Sequence, residues 1–374
     1  MQLPRPDQMQ LDQFLHSLEQ AAETEVGYPG ALDLDYRALA PFLRYCLNNI
    51  GDPFGETSYR LNSHAFEREV VTFYAGLTEA PEDGWWGYVS NGGTEGNLYG
   101  LYLARERYPD GIAYFSQDSH YSVAKNLRFL NMRHIMIRSQ PHGEIDYEDL
   151  RETIRIRRDV PPIVFANIGT TMKEARDDIT RIRGIMEDLA IEQYYIHSDA
   201  ALCGGYAAWL EPRPNWNFAD GTDSIAISGH KFLGAPVPCG IVLARREHVE
   251  RISHAVAYIG SVDTTISGSR NGLASLIFWY AIRALGEDGM KQRLHAALEV
   301  AAYAEDRFRT AGIDAWRNPA ALSVIIPQPA PEVCTKWQLA SSDGISHVMC
   351  MPHVTRERID SLLRDIETAR DHAA

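Results

Sequence analysis

The sequence predicts an α/β protein with a mainly parallel central sheet and a smaller C-terminal α+β domain. Between about residues 87 and 244, short apolar runs alternate with helical stretches, which is the pattern of parallel strands covered by helices. Beyond Arg283 this alternation is replaced by a long helix, one apolar run and a final helix. A chain of 374 residues is long enough for one large domain and a smaller one.

The same patterns divide the chain into three segments, a helical arm over 1–60, a large domain over 61–283 and a small C-terminal domain over 284–374. In the arm, apolar residues recur at helical spacing from Leu11 to Leu18, and Tyr28-Pro29-Gly30 interrupts the pattern. The strand candidates of the large domain are 87–89, 112–115, 163–166, 194–196, 225–227 and 240–243. The small domain is predicted to contain a helix over 290–310, a strand over 321–326 and a helix from Thr355.

Charge and composition exclude several classes of protein. A formal net charge of −14 argues against a nucleic-acid partner, because such proteins present a basic face to the phosphates. No apolar run is long enough to span a bilayer, and the first residues lack the apolar core of a signal peptide, so we expect a cytoplasmic protein without a membrane partner. The five cysteines form no C-x-x-C pair and the histidines no H-E-x-x-H, so we expect free thiols and no metal.

Five of the predicted strands are followed at once by a polar or glycine-rich turn. The turns are 90–95, 116–120, 167–171, 197–199 and 228–231. Ligands of parallel sheets bind beyond the carboxyl ends of the strands, where these turns lie. We therefore expect the five turns to form one site.

Lys231 and Asp199 carry the most specific chemistry in these turns. A lysine amine condenses with aldehydes, and a carboxylate can hold a pyridinium nitrogen protonated. Asp199 precedes the apolar run Ala200-Ala201-Leu202, where an unpaired carboxylate is costly and needs a partner. The pair is what a pyridoxal 5'-phosphate (PLP) site requires most from a protein, so PLP is the expected cofactor. Two surface charges at strand ends are the alternative for these residues taken alone.

Two of the turns carry groups that suit a phosphate. Gly93 and Thr94 open a helix, where glycine lets the backbone approach an anion and the positive end of the helix dipole holds it. Ser228 and His230 stand beside Lys231 and suit the same anion. An ordinary glycine turn with a helix cap is the alternative for the first of these segments.

His120 and Thr170 each allow two interpretations. His120 is either a loop or core histidine, or an imidazole that stacks on a cofactor ring and touches the substrate carboxylate. Thr170 lies either in a plain turn or where its hydroxyl reaches the ring oxygen of a cofactor. Residue type alone does not choose between these alternatives.

In their order along the chain, the motifs resemble those of the group II PLP-dependent amino-acid decarboxylases. The motifs are N-G-G-T-E-G-N at 91–97, D-S-H-Y-S at 118–122, N-I-G-T-T at 167–171, H-S-D-A-A-L at 197–202, S-G-H-K at 228–231 and S-G-S-R-N-G at 267–272. The resemblance covers nearly the whole chain, and the combination of S-x-H-K with an upstream H-x-D-x-A-L is highly specific. Within the family, the sequence is most similar to bacterial histidine decarboxylases, with the plant-type serine decarboxylases next.

The resemblance implies a fold-type I, aspartate-aminotransferase-like subunit that works as a homodimer with active sites at the interface. It implies that Lys231 is the Schiff-base lysine, Asp199 the partner of the pyridine nitrogen and His120 the ring-stacking residue that also meets the substrate. The remaining implied cofactor contacts are Gly93, Thr94, Thr170, Ala201, Ser228 and His230. Residues 258–265 resemble a loop that closes over the site, and its Tyr258 is a candidate, beside Lys231, for protonating the substrate α-carbon.

The implied reaction is decarboxylation of an L-amino acid, with L-histidine and its product histamine as the first expectation and Tyr28 near the side-chain pocket. Decarboxylation of L-serine or another amino acid, and a PLP-fold protein that only binds a partner, are the alternatives. Gly92 and Ala200-Ala201 follow the histidine enzymes, whereas 51–54 and 337–340 are more similar to the serine enzymes. The chain departs from its relatives at two places. Leu273 stands where they commonly have a histidine, and Glu174 stands where they have a glycine.

Overall fold

The structure, a computed structural model, describes residues 3–256 and 260–373. The chain forms two compact units, one of residues 33–294 and one that joins the described residues up to 32 with those from 295 onward. These bounds differ from the predicted segments. The predicted arm is shared between the two units, and the predicted boundary at 283 lies inside the helical segment Gly272–Thr310, shortly before its non-helical residue Gly286.

The elements alternate between helix and strand through the larger unit. The helices are α1 (Arg5–Thr24), α2 (His64–Leu77), α3 (Gly93–Arg107), α4 (Ser122–Phe129), α5 (Tyr147–Arg155), α6 (Ile179–Asp188), α7 (Arg246–Val249), α8 (Gly272–Thr310), α9 (Pro331–Lys336) and α10 (Arg356–Ala373). The strands are β1 (Trp85–Ser90), β2 (Ile112–Ser116), β3 (Arg133–Ile137), β4 (Pro162–Asn167), β5 (Tyr195–Asp199), β6 (Ser224–Ser228), β7 (Gly240–Arg245), β8 (His254–Val256), β9 (Ser261–Asp263), β10 (Ser323–Pro327), β11 (Ser341–Ser342) and β12 (Ile345–Met349). Short 3-10 helices lie at Arg37–Arg44, Cys203–Gly205 and Ala207–Trp209.

The central sheet has seven strands in the order β1-β7-β6-β5-β4-β2-β3. The strands β6, β5, β4, β2 and β3 pair in parallel, each with the next. Strand β7 runs in the opposite direction and pairs antiparallel with both β6 and β1. Because β1 and β6 both run antiparallel to β7, they run in the same direction as each other. Their last residues, Ser90 and Ser228, both pair with Gly240 of β7. The mainly parallel sheet is confirmed, and six strands end at one edge.

Strand β3 was not predicted, because it is a mostly exposed edge strand that begins with the polar residues Arg133 and His134. Four of its five residues, Arg133 to Met136, are at least partly exposed, and only Ile137 is buried. The interior strands β2, β4, β5 and β6 are buried at every position. Burial on both faces produces the apolar runs from which these strands were predicted.

Helix α3 packs directly on the sheet because glycines face the strands. A Cβ built on Gly100 would lie 2.1 Å from His197 Nδ1, and one on Gly96 would lie 2.9 Å from the Ala226 Cβ. Apolar residues at other positions of α3, among them Tyr99 and Leu103, belong to a buried core shared with the sheet. This close packing places the N-terminus of α3 at the edge where the strands end.

The smaller unit has the α+β composition that the sequence predicts. Its strands form a three-stranded antiparallel sheet in the order β10-β12-β11, accompanied by α9 and α10. The predicted helix over 290–310 is the second part of α8, which contains a non-helical residue at Gly286 with φ 61° and ψ 179°. Among the described residues, no helix has the length and hydropathy that crossing a membrane requires.

Candidate active site

A cavity of about 260 Å³ lies at the edge of the sheet where the parallel strands end. The nine residues predicted to bind the cofactor all line it. They are Gly93, Thr94, His120, Thr170, Asp199, Ala201, Ser228, His230 and Lys231. Each of the five predicted turns contributes, so the expectation that they meet at one site agrees with the structure. Six further residues line the same cavity: Asn97, Tyr121, Ser122, Asn167, Gly169 and Thr171.

Lys231 lies in the turn after β6, with its amine at the cavity. Burial lowers the pKa of the amine below its usual range, and the carboxylate of Asp199 opposes this shift. The neighbouring Gly229 admits no side chain, because a Cβ there would lie 2.1 Å from the Phe278 Cζ. A lysine whose pKa is lowered by burial carries the neutral amine more often, which is the form that attacks an aldehyde.

Asp199 ends β5 and is only 7% exposed. Burial raises the pKa of its carboxyl, while Lys231 and two hydrogen bonds oppose that shift. The Ala201 N–H donates to Oδ1 at 3.1 Å, and the Asn97 Nδ2 donates to Oδ2 at 2.9 Å. Both oxygens therefore accept hydrogen bonds, which favours the ionised form that a protonated ring nitrogen needs as its partner.

His120 and Thr170 lie on the wall of the same cavity. The His120 Nδ1 lies 2.8 Å from Ser122 Oγ and accepts from the Ser122 N–H at 3.3 Å, which leaves the proton of the neutral ring on Nε2. Burial lowers the pKa of His120, an effect opposed by Asp199, so the ring is neutral near pH 7. Thr170 Oγ1 accepts from the Ala175 N–H at 3.0 Å, so its own hydrogen can be donated into the cavity.

The cavity contains a group of donors that fits a phosphate. The first hydrogen bond of α3 runs from the Gly96 N–H to the Gly92 carbonyl, so the N–H groups of Gly93 and Thr94 have no acceptor one turn earlier in the helix. Gly92 has φ 132°, a conformation that favours glycine. A Cβ on Gly93 would lie 2.7 Å from Ser228 Oγ, so the backbone at Gly93 and this hydroxyl lie close together at the cavity.

For two predicted site residues, Tyr258 and Tyr28, the role stays a prediction. Tyr258 lies outside the described residues. Tyr28 is 58% exposed and belongs to the smaller unit, so its place near the substrate stays a prediction. Of the two departures from the family, Leu273 is half-buried at the start of α8.

Glu174 is fully buried and adopts φ 52°, a left-handed conformation that accounts for glycine at this place in relatives. The Tyr206 hydroxyl donates to its Oε1 at 2.5 Å, and Arg176 lies 3.0 Å from the same oxygen. A buried carboxylate is tolerated when it is paired and hydrogen-bonded in this way.

Asn97 is the functional candidate that the sequence analysis left without a role. It lies four residues after Gly93, so the two residues lie on one face of α3 and both reach the cavity. The separation of four residues between Gly93 and Asn97 was the feature of the sequence from which a role for Asn97 at the site could have been predicted. The Asn97 contact with Asp199 depends on how closely α3 approaches β5, which the sequence pattern does not define.

The fold and the cavity together define a PLP enzyme of fold type I, with an amine, a buried carboxylate and a helix N-terminus at the ends of parallel strands. Residues 65–313 match the pyridoxal-dependent decarboxylase conserved domain. The chain belongs to this family of carboxy-lyases, and its cofactor is pyridoxal 5'-phosphate.

Individual relatives extend the match over nearly the whole chain. A histidine decarboxylase of Mesorhizobium japonicum is 51% identical over 360 residues, which cover 96% of this chain and 97% of the relative. A histidine decarboxylase of Morganella morganii is 44% identical over 98% of both chains. The L-methionine decarboxylase of Streptomyces sp. 590 has a similar structure, with a TM-score of 0.89 and 28% identity over 98% of this chain and 95% of that chain.

Proposed function

We propose that the protein decarboxylates L-histidine to histamine and carbon dioxide. The observation that carries the substrate is the identity of 44–51% with histidine decarboxylases along nearly the full length of both chains. The pattern at Gly92 and Ala200-Ala201 agrees with it, because it resembles that of the histidine enzymes, and the small side chain of Ala201 lines the cavity.

In the proposed mechanism, PLP supplies the electron sink for the breaking Cα–carboxylate bond. Lys231 would hold the cofactor through its amine, which burial keeps more often in the neutral form that attacks an aldehyde. Asp199 holds the proton on the ring nitrogen, which keeps the ring able to accept electrons. His120, neutral because burial lowers its pKa, stacks on the ring without adding a charge.

The remaining proposed roles concern binding and the final proton. Gly93, Thr94, Ser228 and His230 hold the phosphate, and the Thr170 hydroxyl donates to the ring oxygen. The α-carbon is reprotonated by Tyr258 or Lys231. Tyr28 contacts the substrate side chain. Each role rests on the resemblance of the motifs and, for all but the two tyrosines, on the position of the residue at the cavity.

The substrate is tested by measuring kcat/KM for histidine against serine, methionine, ornithine, lysine, tyrosine and glutamate. The kcat/KM for histidine is expected to exceed the other values by large factors. A site that pairs both imidazole nitrogens has polar groups that remain without a hydrogen-bond partner when the bound amino acid lacks those nitrogens. If serine or another amino acid ranks first, the substrate is wrong while the decarboxylase assignment stands.

We also propose a homodimer in the cytoplasm. Helix α1 has no buried residue, and its apolar side chains Leu11, Phe14, Leu15 and Leu18 are each about half exposed or more. A second copy of the chain is the partner that the family resemblance implies for such a surface. Within the described residues none of the five cysteines forms a disulfide bond, as suits a reducing compartment.

A further inference from the structure

A line of polar side chains runs through the core behind Asp199. Tyr195, His197 and Asp199 alternate along β5, so all three face the same side of the sheet, on which α3 packs. Tyr195, His197 and Ser224 are 0% exposed, and Asn97 is 2% exposed. Buried polar groups are costly unless they are hydrogen-bonded, and here each is bonded to the next.

The hydrogen bonds of this line have one consistent direction. Asp199, as a carboxylate, only accepts, so the Asn97 amide must present its NH2 group to Oδ2 at 2.9 Å. The Asn97 oxygen then faces His197 Nε2 at 2.9 Å, and this nitrogen must carry the proton. His197 Nδ1 is left as an acceptor for the Ser224 hydroxyl at 2.7 Å. Ser224 in turn accepts from the Tyr195 hydroxyl at 2.9 Å.

His197 fixes this direction because it stays neutral. Burial lowers its pKa to about 3, so one ring nitrogen donates and the other accepts throughout the neutral pH range. A rotated Asn97 amide would place its NH2 group against the N–H of His197 and its oxygen against the carboxylate. Both contacts would be repulsive, so the rotated orientation is excluded while the histidine keeps this tautomer.

We propose that Asn97 and His197 are positioning residues that keep Asp199 ionised and oriented toward the ring nitrogen of PLP. The amide that the histidine fixes can only donate to Oδ2, so a proton cannot reside on that oxygen without displacing Asn97. The carboxylate then keeps its negative charge for the ring N–H. Neither residue needs to touch the reacting atoms. The proposal rests on the PLP cofactor and not on which amino acid is decarboxylated.

The test measures protonation of the ring nitrogen with the holoenzyme and no substrate. PLP labelled with ¹⁵N at the ring is bound to the native protein and to the His197→Leu and His197→Gln variants, and the ¹⁵N chemical shift is followed against pH. In His197→Leu, the midpoint for loss of the ring proton is expected to fall by about one pH unit or more, which is a tenfold change in the protonation equilibrium. His197→Gln retains a donor for Asn97 and is expected to recover most of the native midpoint.

Ser198→Ala is the matched control. Ser198 is equally buried on β5 but faces the other side of the sheet. There its hydroxyl forms hydrogen bonds with the Trp216 carbonyl oxygen and the Thr222 hydroxyl. Its midpoint is expected to equal that of the native enzyme. Ser224→Ala provides a second variant should His197→Leu fail to fold, with a shift in the same direction. The proposal is overturned if the midpoint for loss of the ring proton in His197→Leu equals that of the native enzyme. Where only Ser224→Ala folds, the same result in that variant overturns it. The line of residues would then have a purely structural role.

Discussion

Lys231 is the residue on which the covalent chemistry depends. Replacing Lys231 with alanine is expected to remove the visible absorption band of the bound cofactor and to lower kcat by roughly a thousandfold or more, because no other side chain supplies the covalent attachment. Absorption spectra and steady-state rates measure both effects. Lys291→Ala is the control, since Lys291 pairs with Glu287 at an exposed position on α8. A variant at Lys231 with the band intact would show that the lysine is wrongly assigned.

Asp199→Asn separates the electronic role of the carboxylate from binding. The amide still forms a hydrogen bond but cannot stabilise a proton on the ring nitrogen, so kcat is expected to fall roughly a hundredfold. The phosphate contacts are unchanged, so the dissociation constant of PLP is expected to change by less than about tenfold. Stopped-flow rates and a fluorescence titration with PLP provide the two values. Equal losses in rate and affinity would contradict this division of roles.

At the scale of elements, the close packing of α3 on the sheet depends on glycine residues. Gly100→Ala would place a methyl group 2.1 Å from His197 Nδ1 and is expected to destabilise the protein by about 1–3 kcal/mol. Gly184→Ala is the matched control, because that helical glycine in α6 has open space around its Cβ position. The control is expected to stabilise the protein by about 0.5–1 kcal/mol. Urea unfolding of the apoprotein measures both, and similar values for the two variants would refute the packing argument.

The elements also show which features a sequence can reveal. The interior strands were predictable because burial on both faces requires apolar side chains, and the turns because their polar residues follow those strands. Strand β3 was not predictable in this way, since it lies at the edge of the sheet, is mostly exposed and begins with the polar residues Arg133 and His134. The cavity residues could be named from their turns and from the family resemblance. The hydrogen bonds behind Asp199 could not, because they depend on the distance between α3 and β5.

At the scale of the whole molecule, the exposed apolar side of α1 is expected to be covered by a second copy of the chain. Replacing Phe14 and Leu18 with glutamate is expected to convert a dimer into a monomer, because charges at a buried contact are costly to desolvate. Sedimentation velocity measures the change in mass. Gln10→Glu with Gln13→Glu places the same charges at other exposed positions of α1 and serves as the control. A native enzyme that sediments as a monomer would refute the dimer.

The reversed strand β7 has a consequence for the order in which the protein assembles. Among the described strands, β1 pairs with β7 alone, which follows it by about 150 residues. During synthesis, β1 and the helix that follows it emerge from the ribosome long before their place in the sheet exists. A nascent chain that ends before Gly240 therefore lacks a completed phosphate site, although it already contains every residue that lines the cavity. We therefore expect capture of the cofactor to be delayed until β7 has been translated, so that the vitamin-derived ligand stabilises the chain only once the large sheet is complete.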